Sequence, residues 1–473
     1  MAAYFNQKFE EICRGEVEVL NLSYSNIGAD GVQLLSAALM NENNTLTTLN
    51  LSNTNIGVEG VKSLSTALMN ENNKVSTLDL SLNNIGDNGI SALSTALINK
   101  NNKLITLKVA FTRFGEEGVR YLSNALLNEN NKVTSLDLSS NWIGYNAAKY
   151  LFTALTSEHN KMTTLNLQNN IFGVDGVKSL STALINENNK VTTLNLRNNM
   201  LGVEEVKSLS TALMNENNKM ISLDLSENKI EDDAAKYLFT ALMSEHNKLT
   251  ELNLSHNAIG VEGVKSLSTA LMNENNNVTK LNFYDNRIGN DGARHLSLAL
   301  MNANNKVTEL NLSDTDIGDD GVSALSTALM NENNKVTTLN LHANKIGTPG
   351  LATLLKSLRF SLVKCAIAAQ YGVHVKVHTE VQTMLEEFST AFSRYVPCLV
   401  CLASVRTISR IGVQNPHFRM LSSDLLIRVA QTLGWFIDYK GTLRMLDEHA
   451  NCVFENEEES DSEEEDDIEL DSF

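Results

Sequence analysis

The chain has 473 residues, 42% of them hydrophobic and 20% charged, with only 3 prolines, which excludes a proline-rich or largely disordered polymer and allows a sizeable buried core. The formal net charge of −18 is concentrated at one end: residues 455–473 hold 12 acidic and no basic side chains, leaving −6 for the rest. Neither part offers the basic surface that phosphate neutralisation needs, so no nucleic-acid partner is expected.

Residues 1–16 come first. Tyr4, Phe5, Phe9 and Ile12 are spaced for a helix that covers the open end of whatever follows. No apolar run preceded by basic residues is present, so no Sec signal peptide is expected.

From Val17 to Lys364 the chain repeats every 29 residues, twelve times, without an insertion. Units begin at Val17, Leu46, Val75, Leu104, Val133, Met162, Val191, Met220, Leu249, Val278, Val307 and Val336. Position four is Leu in all twelve, and position six is Leu except at Val109 and Phe283. Alternation of Leu with Thr, Asn, Asp or Ser predicts a short strand. The second half of a unit carries apolar residues at helical spacing, as in Val61, Leu64 and Leu68, and predicts a helix with one buried face. Position nine is Asn in eight units and Ser or Thr in the others. A short amide or hydroxyl there can pair with the backbone of a neighbouring unit, so these side chains should form a ladder. Position twelve is Gly in eleven units, Glu231 being the exception, which suggests a positive φ or a close backbone approach.

This pattern resembles leucine-rich repeats of the ribonuclease-inhibitor type. The resemblance implies an α/β solenoid, a curved horseshoe with a parallel sheet on the concave face and helices on the convex face. Residue packing leads to the same curvature, because strands stack about 4.8 Å apart and helices about 8–10 Å apart. No unit can bury its Leu face without neighbours.

The helical halves are nearly identical, VKSLSTAL recurring in four units and AAKYLFTAL in two. Function is therefore sought where copies differ, at positions three, five, seven, eight and ten, which should face the concave side. Most hold Thr, Asn or Ser. Unit four departs with Lys108, Phe111 and Arg113; unit five adds Trp142, with Tyr145 nearby; unit ten holds Lys280, Tyr284 and Arg287. Arg197, Glu227, Glu251 and His256 lie between them, and Glu309, Asp314 and His342 follow. Aromatic and Arg side chains anchor protein interfaces, so these positions are the candidate partner-binding set. Phe283 replaces a core Leu and is expected in the core.

Residues 365–454 lose the period and contain helix-like stretches near 379–394, 396–411, 420–434 and 442–451, a helical C-terminal domain or cap. The longest apolar stretch, Val396–Val405, is too short to span a bilayer. Cys398 and Cys401 with His374 and His378 could be arranged as a zinc site, but the apolar flanks and reversed order favour buried structural Cys, and no metal is assigned. The five Cys are too few for a disulfide scaffold and fit a reducing, cytosolic compartment. No G-x-x-x-x-G-K-[ST], G-x-S-x-G or H-E-x-x-H occurs, so no catalytic residue and no cofactor is assigned. Residues Phe418–Leu433 resemble the start of an F-box, with Leu421, Leu425, Leu426, Val429 and Leu433 in place and Ser422 where that motif has Pro. This implies an alternative in which the repeats select a substrate for the helical segment.

The acidic tail 455–473 reads as a disordered solubilising arm. It also resembles the Glu-cluster signal of effectors delivered by type IV secretion systems of intracellular bacteria, through Glu457–Glu459, Glu463–Glu465, Ile468, Leu470 and Phe473. That resemblance implies a translocated effector binding a host protein. A solenoid with an acidic tail is also similar to the Ran-type GTPase-activating family, with Arg197, Asn198 and Asn199 as the local echo of that family's motif. The leading expectation is a non-enzymatic scaffold holding a protein on its concave face.

Overall fold

A computed structural model describes residues 2–358 and four short strands beyond them, 364–368, 401–403, 435–437 and 443–445; side chains are described for 7–354 and Ser357. Each of the twelve units is a three-residue strand followed by a helix of 11 or 12 residues, from Val19–Asn21 and Gly28–Leu39 to Thr338–Asn340 and Thr348–Leu358. The strands join one parallel sheet in sequence order. Its register is fixed by the repeat, so Leu20 stands opposite Leu49, and Leu310 opposite Leu339.

Position-four and position-six side chains point inward, and all of them, Val109 and Phe283 included, are buried. The helix face Val61, Leu64, Ala67 and Leu68 closes on them from the other side. Burying a Leu side chain is worth roughly 1.5–3 kcal/mol, and each unit repeats it several times. Phe283 packs against Phe239 with ring centroids 6.5 Å apart, and Phe152 against Phe172 at 5.8 Å. Before the first unit, helix Ala2–Cys13 places Ile12 in the core and Phe9 against it.

The position-nine ladder is present. Asn83 accepts from the backbone N–H of Thr54 and Ile56 and donates to the carbonyls of Leu51 and Leu80, at 2.7–3.3 Å. The Asn-rich loops use many of their amides as specifically, although the buried Nδ2 groups of Asn276 and Asn305 have no partner among the described residues. In the first loop Asn41 accepts from the N–H of Asn43, and the buried Asn44 ties the helix-end carbonyl of Leu39 to the N–H of Leu46. One unit on, Asn72 donates back to Met40 at 2.8 Å. Lys132 likewise reaches the carbonyl of Asn102 at 2.7 Å. Helix N-termini in several units are capped from the unit before: Asp87 accepts from the N–H of Gly115 and of Gly118, and Asp319 from Gly347 and Gly350.

The turn departs from the sequence expectation. Position twelve has a positive φ in only five units, at Gly28, Gly57, Gly86, Gly173 and Gly289. The consistent left-handed residue is at position eight, with φ between 52° and 60° in all twelve units and never Gly. In units two, four, five, seven, eight and eleven a second left-handed residue occurs at position ten: Asn55, Arg113, Trp142, Met200, Lys229 and Asp316. The backbone reverses early, directly after the strand, so the side chains of both positions are pushed outward.

Beyond the units, Lys364–Ala368 and Cys401–Ala403 extend the sheet in parallel, and Trp435–Ile437 pairs antiparallel with Leu443–Met445. Cys401–Ala403 and Leu443–Met445 fall inside stretches read as helical. They are strands because short apolar runs fit a paired strand as well as a helix face, and pairing decides between them. The rest of 365–454, including Cys398, His374, His378 and the whole F-box-like stretch Phe418–Leu433, lies outside the described residues, as does the acidic tail.

Candidate functional site

Sheet positions three, five and seven face outward on the concave side, and positions eight and ten follow on the turn at the strands' C-terminal rim. Unit four places Lys108 on the sheet and Phe111 and Arg113 on the rim, all exposed. The Arg113 guanidinium lies 6.0 Å from the Phe111 ring centre. Trp142 stands one unit on, next to Arg113: the backbone N–H groups of Thr112 and Arg113 are both held by the amide of Asn141, Trp142's neighbour. Trp142 is 79% exposed and Phe111 42%. Around them the sheet offers Thr106, Ser135, Asp137, Thr164 and Asn166, so the two rings are large apolar groups beside a polar sheet.

A second group gathers Arg197, Glu227, His256 and Tyr284. Arg197 pairs with Glu227 across adjacent units. That hydrogen bond holds the Glu227 carboxyl below its ordinary value and raises the Arg197 guanidinium. The Arg197 Nε is buried with no hydrogen-bond partner among the described residues. His256 Nδ1 lies 2.7 Å from Asp285 Oδ2, and its ring stands edge-on to Tyr284 at 4.5 Å. Glu251 pairs with Lys280 at 3.0 Å, and Lys280 also faces Glu309 at 3.8 Å. The two carboxylates raise the Lys280 ammonium, Glu251 first through its hydrogen bond.

Nine of the twelve candidates therefore form two groups with different character. Lys108, Phe111, Arg113 and Trp142 are exposed and, among the described residues, outside any ion pair. Arg197, Glu227, Glu251, His256 and Tyr284 satisfy one another or near neighbours. Arg287, Asp314 and His342 are exposed and stand apart from both. The Arg197–Asn198–Asn199 run is not gathered as a reactive set: Arg197 is ion-paired, Asn198 donates to Asn169, and Asn199 is buried in the ladder.

Sequence reading missed Leu82, Ile171, Met200 and Lys229, all exposed on the same rim. The signal was available by comparing positions eight and ten down the column of units instead of scanning one unit at a time. Among the described residues no three His, Cys, Asp or Glu side chains are placed to hold a metal, and no helix is long and apolar enough to cross a membrane.

A family model described as Leucine Rich repeat matches residues 17–36, 42–65, 71–94, 129–152, 158–181, 216–239, 245–268, 274–297, 303–326 and 332–355. No curated protein matches the sequence. Among solved structures the chain is similar to an internalin from Listeria monocytogenes, at 18% identity and TM-score 0.41, over 77% of this chain and 92% of that one. It is also similar to a TDR receptor, at 16% identity and TM-score 0.37, over 78% of this chain and 59% of that one. Twelve registered strand–helix units with Leu at their inward positions, ten of them matched by the family model, make the chain a leucine-rich repeat protein.

Proposed function

We propose that the solenoid is a non-enzymatic scaffold that captures a protein through its concave face and the rim at the strands' C-terminal ends. One observation carries this reading: the large rings of Phe111 and Trp142 are exposed beside Lys108 and Arg113, at the edge of a sheet that carries mainly short polar side chains. Large aromatic and Arg side chains on a rigid array lose little freedom on binding, which is what an anchor requires. The strand followed by an 11- or 12-residue helix in every unit supports the ribonuclease-inhibitor type. The Glu clusters of the tail support delivery into a host cell, where the bound protein would be found.

The test is affinity capture from eukaryotic lysate with the full chain and with Phe111→Ala/Arg113→Ala/Trp142→Ala, both checked for an unchanged far-UV spectrum. A protein retained by the first and lost by the second supports the reading. Equal capture by both sinks it. Fusion of residues 455–473 to a translocation reporter decides the delivery reading separately: no transfer into host cells removes it.

A further inference from the structure

Along the solenoid from unit four to unit eight, position ten holds Arg113, Trp142, Ile171, Met200 and Lys229. Before them the column is Asn26, Asn55 and Asn84; after them it is Ala258, Arg287, Asp316 and Lys345. Three large apolar side chains thus stand on consecutive units with a cation at each end. Trp142, Ile171 and Met200 are 79%, 53% and 58% exposed. Neither Arg113 nor Lys229 makes an ion pair among the described residues, whereas Arg197, Lys280 and Lys345 on the same side all do.

The backbone supplies an independent observation. Arg113, Trp142, Met200 and Lys229 have φ of 62°, 59°, 58° and 55°, a region that costs an L residue roughly 1–2 kcal/mol. Asn or Gly would sit there more easily, as Asn55 does. Ile171, the β-branched member for which strain would be worst, avoids it; its N–H bonds to Ile143 at 3.3 Å. Bulky side chains held at strained, exposed positions mark a surface shaped for contact.

We propose that this column is a docking strip for a helical peptide carrying three apolar residues on successive turns and an acidic residue at each end. The inference rests on the protein-binding reading above and names the kind of partner. Spacing selects the helix: successive turns advance about 5.4 Å, close to the roughly 4.8 Å between strands. Anchors at i, i+4, i+7, i+11 and i+14 of a helix span about 21 Å against about 19 Å for the five units. An extended peptide shows same-side residues about 6.6 Å apart and loses register by the third anchor. Charge selects the ends, where a carboxylate meets Arg113 and another meets Lys229. The first turns of the following helices carry Glu116, Glu117, Asp175, Glu204, Asp232 and Asp233, so a helix acidic along its whole flank is repelled. Acids confined to the ends with Lys on the flank fit both.

The test uses the full chain and labelled synthetic peptides of about eighteen residues, enough for five turns. The probe has Glu at both ends, Leu at the three central anchors and Lys and Ala elsewhere. One control reverses the ends to Lys, another alternates Leu with polar residues, and a third is residues 455–473 of this chain. Fluorescence anisotropy should show the probe binding at least roughly tenfold more tightly than every control. Ile171→Ser/Met200→Ser should abolish that binding, and Lys229→Glu should shift preference toward the Lys-ended peptide. Equal binding of the reversed or alternating peptide, unchanged binding by the variants, or tighter binding of the 455–473 peptide overturns the proposal. A captured protein lost with the Phe111/Arg113/Trp142 variant but unaffected by Ile171→Ser/Met200→Ser refutes the strip alone; one retained by both refutes the binding reading too.

Discussion

Asp87 accepts the backbone N–H of Gly118, one unit further on, at 2.8 Å, and a methyl group on Gly118 would lie 2.7 Å from the same carboxylate oxygen. Asp319 and Gly350 repeat the arrangement near the other end, with 2.4 Å for the added methyl. The glycine is needed for space, so that a side chain from the preceding unit can cap the helix. Gly118→Ala should lower stability by about 1–3 kcal/mol despite the better helix propensity of Ala. Gly144→Ala, whose added methyl meets nothing within 4 Å, is the control and should be near neutral. Urea midpoints of the two variants check this; equal midpoints would refute it.

Asn141 accepts from the N–H of Thr112 and Arg113 and donates to the carbonyls of Val109, Leu138 and Ser139. Asn141→Leu leaves these buried groups unpaired, each at roughly 1–3 kcal/mol. The expected result is a large fall in the denaturation midpoint and faster amide exchange at Val109–Arg113. Asn141→Thr should cost less, because Thr54, Thr112 and Thr315 fill the same position elsewhere.

Phe111 and Trp142 have φ of 52° and 59°. Phe111→Asn and Trp142→Asn should therefore raise stability by up to about 1 kcal/mol while weakening partner capture. A gain in midpoint together with a loss of binding separates an anchor from a structural residue. A fall in midpoint would show that the rings support the fold.

The Arg197–Glu227 pair gives a pH signature. Its folded carboxyl is held below the ordinary 4.5, chiefly by the Arg197 hydrogen bond, so the pair stabilises the fold above that value and the contribution disappears as pH falls through the lowered one. Both side chains are partly exposed, so its size is about 0.2–1 kcal/mol. In paired denaturation curves Glu227→Gln should be less stable than the parent at pH 6, and the two should converge as the pH falls through the lowered carboxyl value. A constant difference would assign the effect to something other than ionisation.

Much of the fold was legible because inward positions cannot vary: Leu at position four recurs in every unit, and its strand and helix follow. Asn83 and its equivalents were legible for the same reason, since a buried backbone group must find a partner. The Asn-rich loops were less so. Asn44 also donates to the carbonyl of Asn72, and Asn72 to that of Met40, groups 28 and 32 residues away, and composition alone shows no such partner. Position eight was missed because the left-handed turn falls on Tyr24, Leu82 and Phe111, residue types that give no warning of a positive φ. The rim strip was half seen. Arg113 and Trp142 stand out within their own units, while Ile171 and Met200 become notable only beside their neighbours in space.

Most of the bonds joining one unit to the next run between residues 27–32 apart, from Ile56 to Asn83 at one end of that range and from Asn72 to Met40 at the other. A single inserted residue would break many of them together, whereas the loss or gain of a whole 29-residue copy restores all but those at the seam. Units that share the stretch VKSLSTAL are interchangeable in this sense. The solenoid can thus be lengthened or shortened in steps of one strand. Each step adds or removes one residue in every column of the sheet and rim at the seam, and presents a rearranged surface on an unaltered frame.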